Sequence, residues 1–192
     1  MHDNAQTLFS TNRLTIRLAT PEDADFFFQL WTDPRVMANV GFPQGIPISR
    51  SEIQTQIEKS GVSPFEHLLI IELKSTGQAI GEGYMSPPNP ENIASTDVKL
   101  LPDFWGNKYG LEAKQGLLDY LFTHTPCEEV EATPNKGNLA SIKMQEAVGG
   151  ICIGEKLFEF PEAMQSYTSP VHSYIYRVKR DTWQQQQGES HA

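Results

Sequence analysis

Pro102-Asp103-Phe104-Trp105-Gly106-Asn107-Lys108-Tyr109-Gly110-Leu111-Glu112-Ala113 joins two stretches of different periodicity. Before it, residues 96–101 form a short strand-like run. After it, residues 111–122 place Leu117, Leu118, Leu121 and Phe122 at helical spacing. A strand therefore enters a helix through a loop that holds two glycines. The first N–H groups of a helix lack intrahelical partners and carry the positive end of its dipole, so such a junction favours a phosphate. Gly106 and Gly110 let a ligand approach the main chain, and Lys108 adds a mobile positive charge. A plain glycine turn at a helix entry would use the same residues, so the loop alone leaves both readings open.

Outward from this loop the chain alternates between strand and helix signals. Residues 13–18 alternate polar and apolar, as a half-buried strand does. Thr20-Pro21-Glu22-Asp23 has a hydroxyl cap, a proline at the first helical position and acids in the first turn, and Phe26, Phe27, Leu30 and Trp31 come after it as an apolar face. Asp33-Pro34 interrupts that helix, residues 41–47 read as loop, and residues 51–59 resume a helix through Ile53 and Ile57. Strands at 67–73 and 79–85 flank the turn Lys74-Ser75-Thr76-Gly77-Gln78, and Ser86-Pro87-Pro88-Asn89-Pro90 is an exposed connection. Further on come a strand at 128–132, a helix at 139–148 and strands at 151–160 and 171–178. The polar tail, 184–192, reads as disordered.

Composition narrows the function classes. The chain has 192 residues, within the usual range of one domain, and its 39% hydrophobic and 10% aromatic content supplies a core. Fifteen basic against twenty-four acidic side chains give a net charge of −9, which repels a nucleic-acid backbone. Cys127 and Cys152 form no disulfide framework, and no basic leader or membrane-length apolar run is present, so the expectation is a soluble, cytoplasmic protein without a membrane partner. Gly81-Glu82-Gly83-Tyr84-Met85-Ser86 lacks the third glycine of a dinucleotide fingerprint and runs into Pro87-Pro88. His124 and Cys127 have no second pair nearby, so no metal is expected.

A second patch tips the balance at the loop. Glu131-Ala132-Thr133-Pro134-Asn135-Lys136-Gly137-Asn138-Leu139-Ala140-Ser141 again leads a strand through a polar loop into a helix, now one bearing Asn138 and Ser141. Together the two patches resemble the GNAT superfamily of acyl-CoA-dependent N-acyltransferases, most closely the branch with the ribosomal-protein N-terminal acetyltransferases. Residues 11–17, 20–24, 31–37 and 146–150 are similar to that branch as well. The resemblance implies an α/β (α+β) fold in a single domain over residues 1–183, with a mixed, mostly antiparallel seven-stranded sheet flanked by about four helices. It implies acetyl-CoA as co-substrate. Trp105, Gly106, Asn107, Lys108, Tyr109 and Gly110 would form the pyrophosphate loop, Leu100 and Leu101 would pair with the pantetheine arm, Asn138 would hydrogen-bond that arm, and Ser141 would lie near the sulfur. Two departures stand out: Lys108 occupies a position where the family has a small residue, and Ser95-Thr96-Asp97-Val98-Lys99 replaces a strand that in many relatives carries a glutamate and a glycine.

An amine that attacks a thioester must first be neutral, and free amines have pKa values of about 8 to 10, so a base or a water chain is needed. Asp97 and Glu82 are the candidate carboxylates, with a solvated strand face as the plain alternative for each. A backbone N–H on the Asp97 strand would meet the oxyanion, and Ser141 or water would protonate the thiolate. By the same resemblance, residues 31–47 and 160–170 line the acceptor side, where Trp31, Phe42, Phe160 and Tyr167 offer aromatic walls. The net charge favours a cationic acceptor. The expectation is acetylation of a primary amine, a protein N-terminus ahead of a small molecule, by a monomer or homodimer. The competing class is a non-catalytic acyl-CoA-binding or regulatory domain.

Overall fold

The computed structural model describes residues 6–61, 63–65 and 67–190. In chain order its elements are β1 (Thr7–Ser10), β2 (Leu14–Leu18), α1 (Ala24–Thr32), α2 (Pro34–Met37), α3 (Arg50–Lys59), β3 (Leu69–Leu73), β4 (Ala79–Met85), β5 (Ile93–Leu100), α4 (Tyr109–His124), β6 (Glu129–Ala132), α5 (Leu139–Ala147), β7 (Ile151–Phe158), β8 (Val171–Lys179) and α6 (Arg180–Ser190). The strands form one mixed sheet in the order β1-β2-β3-β4-β5-β6-β8-β7. Every neighbouring pair is antiparallel except β5 and β6.

The apolar run of β3 shows why helices cover both faces. Ile70 packs with Phe27, Leu30 and Trp31 of α1 and with Ile53 and Ile57 of α3. Leu69 and Ile71 point the other way, into a core with Leu117, Leu118 and Leu121 of α4. Arg17 pins α1 to the sheet: its guanidinium donates to both oxygens of Asp23, at 2.7 and 2.8 Å, and to Glu72 at 2.7 Å, while Asp23 also accepts from the Thr20 N–H at 2.7 Å. Gly81 belongs to this sheet and not to a nucleotide loop, because a Cβ there would lie 2.4 Å from both the Lys99 carbonyl oxygen and a Leu100 methyl.

Three expectations are corrected. Among the described residues the sheet has eight strands, not seven: β1 is four residues of half-exposed edge, too short for its pattern to register. Among the described residues there are six helices, not about four. Asp33-Pro34 ends α1, but Asp33 then accepts from the Arg35 N–H at 2.9 Å and caps the one-turn α2. Residues 184–190, read as a disordered tail, continue α6, which side chains before the glutamine run hold in place. Trp183 is buried and donates to Asp119 at 2.7 Å, and the Arg180 guanidinium donates to the carbonyls of Phe122, Thr125 and Cys127. Residues 191–192 lie outside the described residues. Among the described residues, no helix is long and apolar enough to cross a membrane.

Candidate active site

The one parallel pair opens the sheet. β5 and β6 are paired only at Ile93/Glu129, Ala94/Val130 and Ser95/Glu131. Beyond Ser95, β5 stays with β4 as far as Leu100, while Ala132 of β6 pairs with Tyr176 of β8. The two strands diverge, and a gap opens between residues 96–100 and the segment after β6. The ladder decides which main-chain groups face it. Ser95 accepts from the Ser86 N–H and Leu101 donates to the Ile80 carbonyl, both at 2.9 Å, so odd-numbered residues of β5 bond to β4. Val98 and Leu100 therefore turn their N–H and C=O groups toward the gap. The Leu100 carbonyl accepts from the Trp105 indole at 2.9 Å. Leu101 has its N–H on Ile80 and its carbonyl on the Phe104 N–H, so Leu100, not Leu101, edges the gap.

The loop and α4 close one end. Gly106 has φ +77° and Lys108 φ +61°, the left-handed region that glycine adopts freely and lysine rarely. Lys108 caps α4 in that conformation. Among the described residues, no acceptor meets the N–H groups from Gly106 to Leu111. The β1–β2 turn braces the helix entry: Thr11 and Arg13 donate to the Glu112 carboxylate at 2.6 and 2.7 Å, Arg13 also donates to the Asn107 carbonyl at 3.1 Å, and its guanidinium lies 4.5 Å from the centre of the Tyr109 ring. On the opposite side, Asn138 caps α5 by accepting from the Ser141 N–H at 3.1 Å. Met144 of α5 reaches Gly110, with its sulfur 3.5 Å from where a Gly110 Cβ would stand. Met144 thus sets α5 against the α4 entry that follows Trp105, Gly106, Asn107, Lys108 and Tyr109, and Asn138 and Ser141 stand at the start of α5.

The face of β4 and β5 that looks toward α1 carries charge. Tyr84 pairs with Asp97 and Glu82 with Lys99, so all four share that face. Glu82 is buried and accepts from the Trp31 indole at 2.8 Å. The Lys99 ammonium lies 2.6 Å from Asp97 and 3.7 Å from Glu82. The Asp97 carboxylate also accepts from the Val98 N–H at 2.9 Å. Desolvation works against the Asp97 charge, but the Lys99 and Lys114 cations and the Val98 N–H outweigh it and hold the carboxyl below its ordinary value. Desolvation likewise opposes the Lys99 charge, and the two carboxylates overcome it and raise its pKa. On the α4 side of β5, Lys114 is 1% exposed and donates to the Thr96 hydroxyl. Burial lowers its pKa to about 7.

Phe42, Phe160 and Tyr167 stand together. The Phe42 ring centre is 5.3 Å from that of Phe160 and 6.4 Å from that of Tyr167, and the Ser169 N–H donates to the Gly41 carbonyl, tying the two segments together. Among the described residues, no cluster of His, Cys, Asp and Glu could hold a metal ion.

A family profile described as an acetyltransferase (GNAT) domain matches residues 13–151. The chain belongs to the GNAT acetyltransferase family. It is 31% identical over 141 residues to an uncharacterized N-acetyltransferase, p20, of Bacillus licheniformis, covering 72% of this chain and 79% of that protein. It is 28% identical over 177 residues to the uncharacterized protein YkkB of Bacillus subtilis, covering 89% and 96%. The fold superposes on a GNAT acetyltransferase from Bacillus anthracis with a TM-score of 0.73 at 19% identity, over 90% of this chain and 98% of that one. It superposes on spermidine N-acetyltransferase from Vibrio cholerae, solved with CoA and spermine, with a TM-score of 0.74 at 18% identity, over 89% and 98%.

Within this GNAT domain the sequence reading missed Lys99, Thr96 and Lys114. Lys99 could have been found by strand alternation, which puts it on the Asp97 face. Lys114 lies three residues before Leu117 on the buried face of α4, but its charge marks it as surface.

Proposed function

We propose that the protein is an N-acetyltransferase that moves an acetyl group from acetyl-CoA, its co-substrate, to a primary amine by direct attack in a ternary complex. The observation that carries this reading is the β5–β6 gap, with unpaired N–H groups from Gly106 to Leu111 at one end and an acidic face beside its edge. The pyrophosphate would sit on those N–H groups, where the helix dipole and Lys108 favour negative charge. The pantetheine amides would pair with the open groups of Val98 and Leu100, and Asn138 and Ser141 would line the opposite side.

The acceptor would enter over the face that holds Trp31, Phe42 and Tyr167. Glu82 lies on that face, already hydrogen-bonded, and would receive the amine proton through water; Asp97, tied to Lys99 and Val98, is the less available of the two carboxylates. The departing thiolate would take its proton from Ser141 or water. Net charge and the carboxylate face favour a cationic acceptor, which admits peptide N-termini and polyamines. The fold shared with the spermidine enzyme puts polyamines on the panel.

Thiol release from acetyl-CoA tests this against spermidine, spermine, peptides with free N-termini, acidic amino acids and alcohols. Turnover with cationic amines is expected. Turnover confined to acidic amino acids or hydroxyl acceptors would refute the acceptor assignment. Acetyl-CoA binding without turnover on any acceptor would support the binding-only alternative, for which the engaged state of both carboxylates speaks.

A further inference from the structure

Two donors converge on the Asp97 carboxylate from different directions. One is the Val98 N–H, which the β4–β5 ladder turns into the gap, at 2.9 Å from Oδ1. The other is the Lys99 ammonium, at 2.6 Å from Oδ2. A main-chain N–H and a cation that meet on one delocalised anion have the donor arrangement of an oxyanion site. The Asp97 side chain is 46% exposed, so it can swing toward solvent while Lys99 keeps Glu82 as a counter-ion.

Lys99 has a second neighbour, the buried Glu82. A lysine needed only to neutralise Glu82 would stand within hydrogen-bond distance of it. Instead its ammonium is 3.7 Å from Glu82 and closer to the half-buried Asp97. Glu82 has another donor in the Trp31 indole. The lysine is thus held on the same carboxylate that takes the Val98 N–H, one of the β5 donors turned toward the gap.

We propose that Lys99 is the cationic half of the oxyanion site, and that the thioester oxygen of acetyl-CoA displaces the Asp97 carboxylate from between the Val98 N–H and the Lys99 ammonium. This rests on the acetyltransferase reading above. As the amine nitrogen bonds to the carbonyl carbon, the C=O π pair moves to oxygen, where Val98 and Lys99 meet its charge. The pair returns as the C–S bond breaks. The proton lost by nitrogen leaves through water, and the thiolate takes a proton from solvent. Asp97 is then a competitor for the site and not its base.

The test combines turnover with separate titrations of acetyl-CoA and CoA, which lacks the acyl oxygen. Lys99→Met should lower kcat about 100-fold, the usual loss for one oxyanion donor, leave CoA affinity unchanged, and lose any preference for acetyl-CoA. Lys99→Arg should recover part of the kcat. Asp97→Ala should raise affinity for acetyl-CoA several-fold and leave CoA affinity as it is. Loss of CoA and acetyl-CoA binding together in Lys99→Met, or an unchanged kcat, would overturn the proposal in favour of simple neutralisation of Glu82. Loss of turnover in Asp97→Ala with unchanged acetyl-CoA affinity would overturn it by making Asp97 the base. If the parent turns over no amine, the acetyltransferase reading fails, and the acetyl-CoA against CoA contrast in the variants still decides the role of Lys99.

Discussion

Lys114 places a cation where the core would take an aliphatic side chain. It sits between α4 and β5 and donates to the Thr96 hydroxyl, a neutral partner, so burial favours the neutral amine. The folded pKa of about 7 lies below the ordinary 10.5. Between those values the unfolded chain binds more protons than the folded one, so this group makes stability rise with pH, and its penalty is complete below about pH 7. Replacing the pair together, Lys114→Met with Thr96→Val, removes both polar groups. The double variant should gain about 1–4 kcal/mol at pH 7, and the gain should shrink toward pH 10. Urea unfolding at the two pH values checks this, and a double variant less stable than the parent at pH 7 would contradict it. In the sequence, two signals conflict at this position. Spacing alone puts Lys114 on the buried stripe with Leu117 and Leu118, but residue type argues for the surface, and only the facing Thr96, eighteen residues away in sequence, resolves the conflict.

In the proposed function, recognition of the co-substrate would depend on the α4 entry. A side chain at Gly110 would meet Met144 and Leu100 at 3.5 and 3.7 Å, ordinary contact distances, and its backbone is not left-handed. Gly110→Glu should therefore fold. Without ligand it should be as stable as the parent or up to about 1 kcal/mol more so, since an acid in the first turn of a helix replaces a glycine. Acetyl-CoA should raise the Tm of the parent, and because the new carboxylate would stand against the pyrophosphate, that rise should vanish in the variant. A rise equal to the parent's would contradict the placement of the pyrophosphate. The strand and helix around this loop were legible because both have clear periods. The two terminal elements were not. β1 is a short edge strand, and α6 is held by Trp183 and Arg180 through contacts with α4 and the segment after it, so no local pattern announces either.

Across the whole molecule, one break in an otherwise antiparallel sheet opens the gap that the proposal uses. β6 enters parallel to β5 for three residue pairs and then runs on with β8, and that leaves Val98 and Leu100 without a strand partner on one edge. No local signal in 128–132 reveals the pairing direction. The sequence showed the pieces on either side of the gap, the Trp105–Gly110 loop and the Asn138–Ser141 cap, and the resemblance supplied their relation. The polar chemistry between them, Lys99 with Asp97 and Glu82 with Trp31, depends on which residues stand opposite across β4 and β5.

Amide hydrogen exchange, measured residue by residue with and without saturating acetyl-CoA, tests the central claim most directly, because it reads where the ligand lies. The account predicts slower exchange at Val98, at Leu100 and from Gly106 to Leu111, with the edge strands β1 and β7 unchanged. Unaltered exchange across those residues, with protection appearing elsewhere on the molecule, would contradict it.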